Sequence, residues 1–294
     1  VNISPSTSAD MSDPLHILRS ARRVMFAHAH PDDETLATGA LIRELTSLGV
    51  QCTVLTATRG EQGEVVPGAI AESDQRTLEE VRAGEISCAL HALGVDDHLM
   101  LGTPPAWATD HSRPDTAPEQ AFHKQRGRRY RDSGMRWIRP GVAGPSASAP
   151  ADAFTVLPLE QAICDLVAAL HDRCPDALVS YDDAGTYGHP DHVRMHQVAR
   201  AAADRARIPF IEVASEENVV TGLDAAPVAP PQEASFDWYD FPATLDAVAA
   251  ALSCYRTQLT VRDTFLISPG VVRVQHVGQQ VQDVWCRAGL RIAR

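Results

Sequence analysis

The sequence predicts an α/β protein: a Rossmann-like, mostly parallel sheet flanked by helices, with a small C-terminal α+β subdomain. Three observations carry that expectation. Short apolar or β-branched runs alternate with longer amphipathic runs, and parallel neighbours need such crossover connections. Clusters of ionisable residues stand where two of the short runs end, which is where parallel sheets bind ligands. Beyond about residue 216 the alternation gives way to a Pro/Ala-rich linker and short strand-like runs.

Each element has its own signal. "VMFAHA" (24–29) is a short apolar run of the kind a buried strand makes, and Leu36, Ala40, Leu41, Leu45 and Leu48 then fall on one helical stripe that Gly49 ends. "VQCTVLTAT" (50–58) reads as a second strand, the stretch 75–94 as a helix and "HLMLGT" (98–103) as a third strand. Residues 104–157 lack periodicity, are rich in Pro, Gly, Arg and Ser, and read as one long loop. A helix over 158–173, a strand over 177–181, a helix opening at Pro190 and a strand over 209–215 continue the alternation. After the linker, a helix from Pro242 and strands in "TFLIS", "GVVRVQHV" and "QVQDVWC" complete the chain. The expected organisation is a disordered tail over 1–21, a catalytic domain over 22–215 and a smaller subdomain over 216–294 packed on it.

A chain of 294 residues can bury a substantial core, and its net charge of -12 disfavours nucleic acid and anionic membrane surfaces. The basic stretch "KQRGRRYR" (124–131) reads as a solvated loop, so no nucleic-acid partner is expected. No run approaches the roughly 18 apolar residues that span a bilayer, and the N-terminal stretch lacks the pattern of a secretory signal. Six scattered cysteines with no CxxC pair read as thiols of a reducing compartment, and a cytoplasmic location is expected.

The first ionisable cluster, "AHAHPDDETLATG" (27–39), offers His28, His30, Asp32 and Asp33; the second, "TYGHPDH" (186–192), offers Tyr187, His189, Asp191 and His192. An aspartate between a strand and a helix is ordinarily an N-cap, which would account for Asp32 or Asp33 alone. His28 lies within the strand and reads as a hydrogen-bonded core residue, and His196, a turn into its helix, as a surface or packing residue. The joint occurrence of both clusters favours a metal site. A histidine and an aspartate from one turn with a histidine from the other leave an open position, as catalytic zinc sites do; ferrous iron accepts the same donors. Adjacent aspartates allow one to bind the metal and the other to act as base.

"AHPDDE" (29–34) together with "YGHPDH" (187–192) resembles the LmbE/PIG-L family of zinc-dependent N-acetylglucosamine deacetylases. The likeness runs on through "GEQGEV", "EVRAGEISCALHALGV", "RYRDSGM" and "RTQLTV", covering most of the chain after about residue 22. Within the family it is nearest to the branch of mycothiol biosynthesis that removes acetate from an N-acetylglucosaminyl-inositol. The resemblance implies one Zn2+ per subunit, with Fe2+ as the alternative, held by His30, Asp33 and His192, and Asp32 as general base. It further implies that Tyr187 supports the oxyanion, that His189 oriented by Asp191 acts as cation or acid, and that Arg82, Glu64 and Asp132 contact the sugar or inositol. Oligomerisation stays open. A sister branch that cleaves mycothiol S-conjugates carries a lysine early in the first helix, where "TLATGALIRE" has none. The alternatives are amide cleavage of such a conjugate, deacetylation of another aminosugar, or a non-catalytic Rossmann-like binding module; the last lacks any glycine-rich phosphate cradle.

Overall fold

The computed structural model describes residues 12–108, 127–139, 142–215, 232–262 and 270–293. The chain opens with helix α1 (Pro14–Ser20), then β1 (Arg23–His28), α2 (Asp33–Ser47), β2 (Gln51–Thr56), α3 (Leu78–Leu93) and β3 (Asp97–Met100). Strands β4 (Met135–Arg139) and β5 (Val142–Pro145) precede α4 (Leu159–Arg173) and β6 (Ala177–Tyr181). A short helical turn, Gly185–Gly188, leads to α5 (Pro190–Ala206), β7 (Phe210–Val213) and β8 (Asp237–Asp240). The last elements are α6 (Leu245–Cys254), β9 (Leu259–Val261), β10 (Val271–His276), β11 (Val281–Trp285) and β12 (Arg287–Ile292).

The main sheet has the order β3-β2-β1-β6-β7-β12-β8. Strands β3, β2, β1, β6 and β7 are mutually parallel, while β12 runs antiparallel to both β7 and β8. From β1 the chain winds outward to β2 and β3, then returns to place β6 on the other flank of β1. That reversal makes the carboxyl ends of β1 and β6 a topological switch point, the place where a crevice opens in such sheets. Both ionisable clusters begin there.

Each parallel strand is apolar on both faces because helices cover both. Val24 and Phe26 of β1 join one core with Leu41, Ile42 and Leu45 of α2 and Leu90 and Leu93 of α3. Met25 and Ala27 join the other with Ile163 and Leu166 of α4 and Met195 and Val198 of α5. Each such aliphatic side chain contributes roughly 1.5–3 kcal/mol on leaving water. Helix α3 starts at a capping box, Thr77 with Glu80, and stops at Gly94, whose φ of 82° suits glycine.

Four expectations are corrected. Residues 14–20 of the supposed tail form α1, because the Asp13 carboxylate accepts the Leu15 and His16 amides and Pro14 suits the first turn. The C-terminal region is not wholly set apart: β8 and β12 extend the central sheet, and only β9–β11 make a separate antiparallel sheet. The stretch 104–157 contains the β4–β5 hairpin, with 109–126 and 140–141 outside the described residues. Finally, Cys88 and Cys254 are joined in a disulfide between α3 and α6, 166 residues apart in sequence, so not all six cysteines are thiols. The expected "TFLIS" strand and most of the Pro/Ala linker lie outside the described residues. In the described part of the basic stretch, Arg128 pairs with Asp165 and Arg129 with Glu79, so these charges are spent internally. Among the described residues, no helix is long and apolar enough to cross a membrane.

Candidate metal and active site

The turn after β1 and the turn before α5 bring three donor atoms together. His30 Nδ1 lies 3.1 Å from Asp33 Oδ2 and 3.3 Å from His192 Nε2. His192 Nε2 lies 3.2 Å from the same Asp33 oxygen. A tetrahedral zinc ion with bonds of 2.0–2.2 Å needs donors about 3.3 Å apart, so the triangle fits one ion and leaves the fourth corner free.

The remaining ring nitrogens are committed elsewhere, which turns the lone pairs toward the triangle. His30 Nε2 donates to Asp191 Oδ2 at 3.1 Å, with Asp132 Oδ1 at 3.6 Å on the same side. His192 Nδ1 lies 2.7 Å from the Thr186 hydroxyl, and its ring stacks on Tyr181 with centroids 4.4 Å apart. The Tyr181 hydroxyl donates to Asp33 Oδ2 at 2.8 Å and accepts the Ala29 amide at 3.0 Å. Such outer partners fix tautomer and orientation at metal sites. The fit therefore rests on the donor chemistry as well as on the spacing.

Electrostatics separate the two aspartates. Burial disfavours ionised Asp33, but His192 and His30 hold its carboxyl well below the usual range. Burial and the neighbouring charges of Asp33 and Glu34 push Asp32 well above it. Burial also works against a charged His30, yet Asp132, Asp191 and Asp33 outweigh it and hold the imidazolium up; a metal must displace that proton. Asp32 stands at the N-cap position of α2 without making a cap hydrogen bond, and Asp33 accepts the His30 amide within the turn. The capping reading therefore fails for both.

His189 is drawn into the same cluster: donor atoms of His30, His189 and His192 lie within 4.8 Å of one another. Its Nδ1 accepts the Asp191 amide at 3.1 Å, which leaves its proton on Nε2. Burial, then His30 and His192, lower its pKa to about 2, so it is neutral at rest. Asp191 thus orients His189 through its backbone amide, while its carboxylate turns elsewhere: Oδ2 meets His30 and the Ser133 amide, and Oδ1 the Ser133 hydroxyl. Tyr187 packs edge-on to His192 and His189, and burial raises its pKa so that the hydroxyl keeps its proton.

The three expected substrate contacts differ in placement. Asp132 is buried beside His30 and accepts the Gly134 amide at 2.8 Å. Arg82 is 2% exposed and donates to the Gly60 and Glu64 carbonyls, tying down the loop after β2. Glu64 meets Arg82 through its backbone, and its side chain is exposed. His28 and His196 are core residues, bonded to the Thr38 hydroxyl and the Tyr181 carbonyl. Sequence reasoning missed Tyr181, Ser133 and Thr186. Only Tyr181 carried a signal, as a polar-tipped aromatic closing the apolar strand "ALVSY".

Comparisons with known proteins bear on the family and the fold. The family model described as GlcNAc-PI de-N-acetylase, PIG-L, matches residues 25–203. A relative from Thermobispora bispora, called 1D-myo-inositol 2-acetamido-2-deoxy-alpha-D-glucopyranoside deacetylase, is 33% identical over 86% of this chain and 84% of its own. One of the same name from Kineococcus radiotolerans is 37% identical over 66% of this chain, an alignment spanning about half (49%) of that relative's length. A solved structure titled as a deacetylase–bog complex of the teicoplanin biosynthesis pathway superposes with a TM-score of 0.52 over 92% of this chain and 98% of that one, at 17% identity. That last likeness concerns the fold alone. With both motifs inside the matched segment, the chain belongs to the PIG-L family.

Proposed function

We propose that this chain is a metal-dependent N-deacetylase that releases acetate from an N-acetylglucosaminyl-inositol, with Zn2+ held by His30, Asp33 and His192. The observation that carries the reading is the three-atom triangle with an uncapped, half-buried Asp32 beside it. The names of the relatives support the substrate. A divalent ion bound there supplies Lewis acidity to the acetamide carbonyl and lowers the pKa of water to about 7.

The chain's own groups do the rest. Asp32 takes the proton of the attacking water, and its raised affinity for protons lets it hold that proton until the departing amine needs it. The Tyr187 hydroxyl and the His189 Nε2–H are donors for the oxyanion. Neutral His189 serves there as a donor rather than as a resting cation. Asp191 acts on His30 through its carboxylate and on His189 through its backbone amide. Arg82 shapes the rim against which the sugar and inositol lie, with Asp132 and Glu64 as their further contacts.

Acetate release from synthetic N-acetylglucosaminyl-inositol, beside a mycothiol S-conjugate at matched metal loading, tests the reading. The inositol substrate is expected to turn over faster. Asp32→Ala should keep its metal and lose about 10²–10⁴-fold in kcat, whereas His30→Ala should lose the metal. Turnover by Asp32→Ala at the unmutated rate would remove the base from the mechanism.

A further inference from the structure

Asp32 has φ 111° and ψ -28°, a conformation that a residue with a Cβ adopts at a cost on the order of 1–3 kcal/mol. Such strain persists only where the surroundings over-determine it. Here the peptide unit joining Pro31 to Asp32 is gripped at both polar atoms. Gln258 Nε2 donates to the Pro31 carbonyl at 2.8 Å. The Asp32 amide donates to Glu34 Oε2 at 3.2 Å, and the other oxygen of this fully buried carboxylate accepts the Tyr255 hydroxyl and, at 2.5 Å, that of Thr35.

Both grips originate in the four residues Tyr255–Gln258 that follow α6, and this strap is anchored independently of the turn it holds. The disulfide ties Cys254, the preceding residue, to Cys88 of α3. Glu85 of α3 accepts the Thr257 amide at 2.8 Å and its hydroxyl at 2.6 Å, and the Thr257 carbonyl accepts the Val66 amide at 2.9 Å. The metal-ligand candidates are held by other groups: Asp33 by Tyr181 and the His30 amide, His30 by Asp191, His192 by Thr186. Base and ligand set thus have separate supports.

We propose that Tyr255, through Glu34, and Gln258, through the Pro31 carbonyl, are positioning residues that hold Asp32 where its carboxylate can serve as the base. The proposal rests on the base role given to Asp32 above. Loss of either grip frees the strained peptide to rotate and turns the carboxylate away, while the metal stays bound.

Tyr255→Phe and Gln258→Met each remove one donor at nearly constant volume. In each, kcat for acetate release is expected to fall about 10- to 100-fold with KM within about twofold and bound metal per chain unchanged. The double variant should lose less than the product of the two, since both act on one peptide unit. Gln258→Met should cause no further loss in an Asp32→Asn background. Hydrogen exchange at the Asp32 amide, which needs no substrate, should quicken about tenfold or more in Tyr255→Phe. A kcat within twofold of the parent in both single variants, a loss that tracks metal content, or unchanged exchange would each overturn the proposal. If the unmutated protein deacetylates no aminosugar, the proposed function fails on its own and the exchange measurement decides the strap. Should Tyr255→Phe not fold, Gln258→Met carries the test by the same readouts.

Discussion

His30 turns its Nδ1 toward Asp33 and His192 because its Nε2 proton is already committed to Asp191. Asp191 is in turn held by the Ser133 amide and hydroxyl, so the orientation of one ring is set two residues deep. An asparagine at 191 could still accept through its carbonyl, but without the charge that makes the ring a stronger donor to a metal. Asp191→Asn is therefore expected to weaken metal binding by about 10–100-fold, read by competition with a chromophoric chelator. An unchanged affinity would show that Ser133 and packing orient the ring by themselves. At this scale the two motifs were legible, since strand-end histidines and aspartates announce their chemistry. The partners were not. The resemblance paired Asp191 with His189, and the Asp191 backbone amide does hold that ring, but nothing in the sequence says that its carboxylate faces His30 across 161 positions. Ser133, Thr186 and Tyr181 are ordinary residues until the fold places them.

Helix α2 and strand β1 carry half of the site, and their packing has its own dependence on pH. His28, the last residue of β1, is fully buried with Nε2 on the Thr38 hydroxyl, and burial lowers its pKa to about 4. In the unfolded chain the same ring titrates near 6.5. Between these values the unfolded state binds a proton that the native state refuses. Stability from this group is thus complete above about pH 6.5 and is lost as pH falls toward 4, by roughly 3 kcal/mol at most. His28→Gln should remove that component, so urea midpoints of parent and variant should converge from pH 7 to pH 4; parallel curves would refute the assignment. The apolar strands and periodic helices around these two elements were readable from the sequence because both faces of a parallel strand are buried. The additions at the far edge were not. β12, "RAGLRI", pairs with β7 on one side and β8 on the other. Ala288, Leu290 and Ile292 do alternate with Arg287, Gly289 and Arg291, but the glycine and alanine are residues that strands disfavour and the run is too short and too charged to stand out. The disulfide was equally silent, because scattered cysteines do not state their connectivity.

Across the whole molecule, the site depends on the order of the sheet more than on any one turn. His30 and Asp33 follow β1, and His192 follows β6; these strands pair directly only because the chain reverses its winding between them. No local segment holds the three donors, and the unfolded chain does not bring them together, so a metal ion held by the proposed ligands would bind the native state and stabilise it globally. At a free metal concentration 100 times the dissociation constant the gain is about 2.7 kcal/mol, or a rise in Tm of about 4 °C for a chain of this size. Zn2+ added to chelator-stripped protein should produce that rise, and a chelator should reverse it. His192→Ala should abolish the shift, although the removed ring is stacked on Tyr181 and its loss lowers the baseline too. The increment should shrink on acidification, and sooner than for ordinary histidines, because Asp132, Asp191 and Asp33 hold the proton on His30 with which the metal must compete. Melting that ignores added metal in the unmutated chain, at a pH where its histidines are neutral, would mean that the two turns meet without gripping an ion.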